Sequence, residues 1–523
     1  MRGLFTSILT ILSFASLQAQ NSIPKNPKAV IGITVDQLRT DYLEAFYSLY
    51  REDGLKKLWS EGKVYTNVEF TFKFLSKAAN YASIHTGTSP KLHGIISDQW
   101  LNKATLQPIS AVEDDRYLGN YTTQAVAPTK LLTSTASDEL KKATQGKALV
   151  FSIAPTAEAA IFGAGHAGDA AIWLNAETGK WCSTTFYKDF PWWVGRHNET
   201  NGVDQRISEM VWEPLLPSFK YNFLPAQRKA SFKHRLESNR EQKYRRLCTS
   251  PFINSEINRL AEELFQQSGV GEDNITDLVN LTYYVGPYKE SNIEEYPMEL
   301  QDAYIRLDHT IAELLKIIDK TIGLENTFIY LTSTGYQKPE SHLFDQYNIP
   351  TGDFYLNRCA ALLNMYLMAT YGEGEYVESY HNQQIYLNSK LIEEKHLKLE
   401  EIQAKSALFL MQFSGVYAAY HENQLLLGAW NPEVEKVRNS FHRKISGDLL
   451  IDVLPGWTII NENGDNQVTN YSPIPAPIIL YSPYLKGERI NTPVYFEQIA
   501  PTVSRVLRIR APNASTLPPL KGM

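Results

Sequence analysis

Apolar residues run unbroken from Ala29 to Val35 (AVIGITV), and Asp36 follows at once. A continuous apolar run of this length predicts a parallel strand covered on both faces. A helical pattern then continues through Tyr50. Runs of the same kind recur as ALVFSIA from Ala148, DAAIWL from Asp169, DLVNLTYY from Asp277, TFIYLT from Thr327 and PIILYSP from Pro477. Helical spacing lies between and after them, over Asn254 to Gln267, Met298 to Ile322, Leu399 to Phe413 and Phe496 to Leu507. This alternation predicts an α/β fold with a mainly parallel central sheet flanked by helices. Ligands of such sheets sit beyond the carboxyl ends of the strands, which makes Asp36 a candidate site residue.

Two stretches break the alternation, roughly 184–247 and 351–472, and are expected to be insertions over the sheet. The first holds a basic cluster from Arg228 to Arg246, but Glu237 and Glu241 interleave with it, as on a solvated helical face. The second is rich in Tyr and Leu. At the N-terminus, Arg2, the apolar run Leu4 to Leu17 and the small residue Ala19 form the pattern of a cleaved signal peptide. Residues 1–19 are therefore read as an address and 20–523 as one folded domain, periplasmic or secreted. No later stretch is apolar enough to span a bilayer.

Composition adds limits. The chain has 523 residues, 43% hydrophobic and 21% charged, with a formal charge of -6, which is ordinary for a globular protein. Mild acidity argues against nucleic acid as a partner. Cys182, Cys248 and Cys359 are too few for a disulfide framework and match no zinc spacing.

The segments VIGITVDQLRTDYL, ASIHTGTSPKLHGI, AGHAGDAAIW, AYIRLDHTIAELL, SGDLLIDVLPGW and IAPTVSRVLRIRAPNAS, in this order, resemble the PafA-type alkaline phosphatases, which belong with the type I phosphodiesterases and nucleotide pyrophosphatases. The resemblance implies an alkaline-phosphatase-like fold and a two-zinc hydrolase in which a Thr or Ser attacks phosphorus.

The resemblance also implies where the site residues stand. Asp36 matches the first zinc ligand. The nucleophile position is Lys77, with Ser76 one place upstream, where a helical step redirects the side chain by about 100°. Ligand positions that should read Asp and His are Tyr283 and Pro287, then Thr334 and Gly335, and finally Pro475. A phosphate-gripping Lys-x-Arg pair appears as Thr156 and Glu158, and a phosphate-binding Asn as Asp98. Replacing cations by an anion repels phosphate.

Without metal, a cluster of carboxylates is costly to bury. This chain keeps Asp36 and sets Lys77 opposite, so an Asp36–Lys77 ion pair is expected in a vacated pocket, with no zinc or other cofactor. Asp36 also suits a helix N-cap. His93 and His166 are expected to make structural hydrogen bonds. Glu340, His342 and Asp345 form a metal-capable cluster, although a polar loop explains them as simply. The function expected is that of a secreted pseudoenzyme, leaning away from catalysis. It would bind or scaffold in the cell envelope through a protein partner there or in the outer membrane. The alternatives are a phosphomonoesterase or phosphodiesterase with a site rebuilt on Ser76 or the Glu340 cluster, and a phosphoester- or sugar-binding module.

Overall fold

The structure is a computed structural model that describes residues 26–223, 231–238, 242–290, 296–337, 347–460 and 472–523. The proposed signal peptide, residues 1–19, and the cluster Glu340, His342 and Asp345 lie outside the described residues.

The principal strands are β1 (Ala29–Asp36), β2 (Lys63–Glu69), β3 (Val150–Ala154), β4 (Ala170–Leu174), β5 (Trp181–Thr184), β6 (Asp277–Tyr284) and β7 (Thr327–Ser333). A second sheet uses β8 (Val377–His381), β9 (Gln384–Leu387), β10 (Val416–His421) and β11 (Leu449–Val453), after which β12 (Ala476–Tyr481) returns to the first. The main sheet runs β2-β12-β7-β1-β6-β3-β4-β5, with short strands at both edges. From β7 to β4 every pairing is parallel, whereas β12 and β5 run antiparallel to their neighbours. The sheet is thus mixed, with a parallel centre, and helices flank it.

Each apolar run of the sequence forms one of these strands, and all eight residues of β1 are buried. Gly32 is required there. The Tyr330 hydroxyl donates to Asn280 Oδ1 at 2.8 Å, tying β7 to β6, and a Cβ on Gly32 would meet that hydroxyl at 2.2 Å. The strand β2 escapes a reading of apolar runs because its sequence, KVYTNVE, mixes polar residues in. Lys63 is buried there by donating from Nζ to the Gly522 carbonyl at 2.9 Å.

The helices that matter below are α1 (Lys77–Thr86), α2 (Ala136–Ala143), α3 (Ala157–Ala164), α4 (Phe252–Gln267), α5 (Pro297–Thr321), α6 (Leu356–Tyr371), α7 (Leu399–Leu410), α8 (Pro432–Ser440) and α9 (Ile499–Leu507). After β1 the helix is shorter than its sequence pattern, ending at Ala45 before a 3-10 turn over Tyr47–Leu49.

The two long stretches behave differently. The first buries Trp193, Trp212, Tyr221, Leu236 and Leu247 in the main core. Asp302 of α5 secures it, accepting from Trp212 Nε1 at 2.6 Å and from the Tyr221 hydroxyl at 2.5 Å. The second builds its own core, in which Leu363, Ile385, Ile402, Leu410 and Ile451 join the antiparallel sheet to α6 and α7. All three cysteines are free. Among the described residues no helix is long and apolar enough to cross a membrane.

Candidate active site

The carboxyl ends of β1, β6 and β7 and the N-termini of α1 and α3 bring the sequence-singled residues to one edge of the sheet. Asp36 ends β1 and is buried. Its Oδ1 accepts the Thr334 hydroxyl at 2.7 Å, and Thr334 Oγ1 accepts the backbone N–H of Gln37 at 2.9 Å. Gln37 has φ 64°, a left-handed conformation uncommon for a side-chain-bearing residue, and this hydrogen bond pins it. Asp36 is thus tied to the loop after β7 as well as standing before the helix that follows.

Lys77 opens α1 and is half-buried. Ser76 is the N-cap of α1, its Oγ accepting the Ala79 N–H at 3.2 Å. That hydroxyl is buried and engaged, which suits a cap better than a nucleophile. Asp98 Oδ1 accepts the next N–H, from Ala78, at 2.8 Å. Burial pushes the Asp98 carboxyl up to about 6, helped by Glu158 and Asp36 and opposed by the Ala78 hydrogen bond and Lys77. Lys77, Asp36, Glu158 and Asp98 also all act on the buried Tyr81 hydroxyl, whose pKa rises mainly through burial. These groups therefore share one electrostatic neighbourhood. Thr156, exposed, is the N-cap of α3, and Glu158 lies in its first turn.

The other positions do structural work. Tyr283 is fully buried and donates to Asn258 Oδ1 at 2.6 Å, while Tyr284 donates to the Pro287 carbonyl at 2.6 Å. Gly335 takes φ 70°, and Asn80 Nδ2 donates to the Thr334 carbonyl at 2.8 Å. Pro475 is exposed, with its carbonyl accepting from Thr40 N at 2.8 Å. The His93 imidazole accepts Ile95 N–H at Nδ1 (3.1 Å), so its Nε2 faces Ser83 Oγ at 2.8 Å as donor. Burial pushes it down to about 3. His166 lies 3.0 Å from Asp138 Oδ2 and 3.0 Å from the Leu131 carbonyl, away from the Asp36 edge, and its pKa rises, since Asp138 outweighs burial.

Sequence reading missed Gln37, Asn80 and Tyr81. Asn80 and Tyr81 stand within the segment that opens at Lys77, but a search for nucleophile and ligand types passes over a tyrosine and two amides.

A zinc pair needs several carboxylate or imidazole ligands. Of the positions aligned with ligands only Asp36 is of that type. Among the described residues no three His, Cys, Asp or Glu side chains group closely enough to hold a metal ion. The described residues do not fit a zinc pair, and no step below is routed through one.

Comparison with known proteins gives the kinship. The profile of the family described as type I phosphodiesterase / nucleotide pyrophosphatase matches residues 30–474. The chain is 26% identical to alkaline phosphatase PafA of Elizabethkingia meningoseptica, over 98% of this chain and 97% of that one. It is 27% identical to alkaline phosphatase PhoV of Synechococcus elongatus, over 94% and 91%. The crystal structure of wild-type PafA superposes with a TM-score of 0.83, at 26% identity, covering 96% of this chain and 99% of that chain. The leaning away from catalysis is corrected by these findings, because the near-full-length relatives carry the name of a hydrolase.

Proposed function

Because the chain belongs to the type I phosphodiesterase / nucleotide pyrophosphatase family, we propose that it hydrolyses phosphate diesters at this edge of the sheet through a rebuilt site. Lys77 holds a non-bridging oxygen and Asp98 serves as general base. Water attacks phosphorus as Asp98 takes its proton, the ester oxygen leaves, and Asp98 returns the proton to it. The products are a monoester and an alcohol.

The observation that carries this reading is that Asp98 accepts the Ala78 N–H at the N-terminus of α1, the helix that Lys77 opens, which sets a carboxyl raised by burial in the electrostatic neighbourhood of a cation. Charge selects the substrate. Asp36, Asp98 and Glu158 outweigh Lys77, so a dianionic monoester is repelled more than a singly charged diester. The names of the relatives support phosphoester chemistry as the class. The pattern of residues 1–19 supports action in the periplasm or outside the cell, and a protein partner in the envelope or outer membrane belongs to the same proposal.

The test is turnover of bis(p-nitrophenyl) phosphate against p-nitrophenyl phosphate by the purified mature chain. The diester should be preferred, with a rate that rises through about pH 6. Lys77→Ala should raise KM, and Asp98→Asn should lower kcat. Absence of turnover above background with both substrates sinks the proposal.

A further inference from the structure

Tyr81 stands one helical turn after Lys77 on α1, and residues four apart in a helix are neighbours on one face. It is 3% exposed and belongs to the core cluster that joins α1 to α3, with Ala78, Ala82, Ala160 and Ile161. Its hydroxyl makes no hydrogen bond among the described residues. A buried tyrosine usually finds a partner for that group. Tyr187, the other tyrosine of the same cluster, does so by donating to the Gly165 carbonyl at 2.7 Å. The unengaged hydroxyl of Tyr81 is therefore a feature of its place and not of the cluster.

That place is the site. Of the charged groups, Asp36 acts on the Tyr81 hydroxyl most strongly, followed by Lys77, Glu158 and Asp98. Asp36 ends β1, Lys77 opens α1 and Glu158 lies in the first turn of α3, so the phenol oxygen lies among groups that three elements bring to this edge. Burial, with Asp36 adding to it, holds the phenol well above its ordinary range, and the hydroxyl keeps its hydrogen at neutral pH. A neutral donor with no partner thus waits one turn from the lysine that holds a phosphoryl oxygen.

We propose that Tyr81 is a further catalytic residue, whose hydroxyl donates to the second non-bridging oxygen of the phosphoryl group, beside the one held by Lys77. The assignment rests on the diester reading above. The hydrogen bond strengthens as that oxygen gains charge under attack, which is where a fixed donor contributes most to rate. Tyr81 keeps its own proton, so the bonds made and broken remain those of phosphorus with water and with the leaving oxygen. Being neutral, it leaves the preference for a singly charged substrate in place.

The experiment compares Tyr81→Phe with the parent mature chain. The ring is kept, so the melting temperature, measured alongside, should hold. Turnover of bis(p-nitrophenyl) phosphate should fall roughly 100-fold in kcat, with KM within about threefold of the parent. Orthovanadate, which takes the five-coordinate shape of attacked phosphorus, should lose roughly tenfold or more in affinity by calorimetric titration. Dimethyl phosphate, a diester in its ground state, should bind both proteins alike. Unchanged kcat and vanadate affinity, equal loss of both ligands, a loss accompanied by a lower melting temperature, or no vanadate binding by the parent overturns the proposal. A parent that binds vanadate and turns over neither substrate defeats the diester reading alone, and the vanadate difference between parent and variant then decides the role of Tyr81.

Discussion

Thr334 gives its hydroxyl hydrogen to Asp36 Oδ1 over 2.7 Å while it accepts the Gln37 N–H over 2.9 Å. A neutral donor thus satisfies a buried carboxylate at a position where the family resemblance implies a metal ligand. Thr334→Val keeps the shape and removes both hydrogen bonds. It should destabilise the chain by about 1–3 kcal/mol, with Thr334→Ser recovering most of the loss. Urea unfolding with an unchanged m-value measures this. A Val variant as stable as the parent would show that Asp36 is satisfied otherwise.

The second prediction concerns Asp36 and Lys77, which act together on Asp98 and Tyr81. Breaking a fully buried pair costs about 3–5 kcal/mol, and half-burial of Lys77 places the effect below that range. Lys77→Ala should lower the melting temperature, and Asp36→Asn combined with Lys77→Met should lose less than the two single changes summed. Additive single effects in that cycle would dissolve the proposed pair.

Much of this was legible in the sequence because buried parallel strands are written as apolar runs. β1, β6 and β7 stood out for that reason, and with them the edge on which Asp36 and Thr334 meet. β2 did not, since Lys63 is buried through a carbonyl partner more than four hundred residues away. The positions of Lys77 and Asp98 came from motif order. What motif order could not supply was that Asp98 holds the N-terminus of α1, or that Gln37 turns left-handed to reach Thr334. Those are contacts between segments, and no local pattern encodes them. Nor could the sequence separate the two long stretches, one folded into the main core and the other around its own.

Metal content gives a third prediction, resting on side-chain types. With Tyr283, Pro287, Thr334, Gly335 and Pro475 at the aligned ligand positions, the purified mature chain should hold less than stoichiometric zinc. Diester turnover should then be indifferent to EDTA. Metal analysis beside a PafA preparation checks both. Two tightly bound equivalents of zinc would place ligands outside the described residues.

The last prediction is a pH dependence of stability from Glu497, on the turn that leads into α9. Its Oε1 accepts from Thr71 N at 3.0 Å and from the Thr71 hydroxyl at 2.6 Å, while Oε2 is buried and has no hydrogen-bond partner among the described residues. Burial raises its pKa from the ordinary 4.5 to about 7, with the Thr71 hydrogen bonds opposing and the nearby Glu69 adding to the rise. Between those two values the folded chain keeps a proton that the unfolded chain has released. Stability contributed by this group is therefore full below pH about 4.5 and falls as pH rises towards about 7. The difference in pKa corresponds to a loss of up to about 3 kcal/mol. His166, with a raised pKa, adds a fall of the same sign as it loses its proton, so the Glu497 part must be isolated by subtraction. Glu497→Gln keeps a neutral side chain that can still accept from Thr71 and cannot ionise. Its unfolding free energy, measured by urea at intervals from pH 4 to pH 8, should decline less than that of the parent. The two curves should meet at the acid end and separate towards neutrality. Curves that run parallel across the whole range would mean that Glu497 titrates as an ordinary carboxylate.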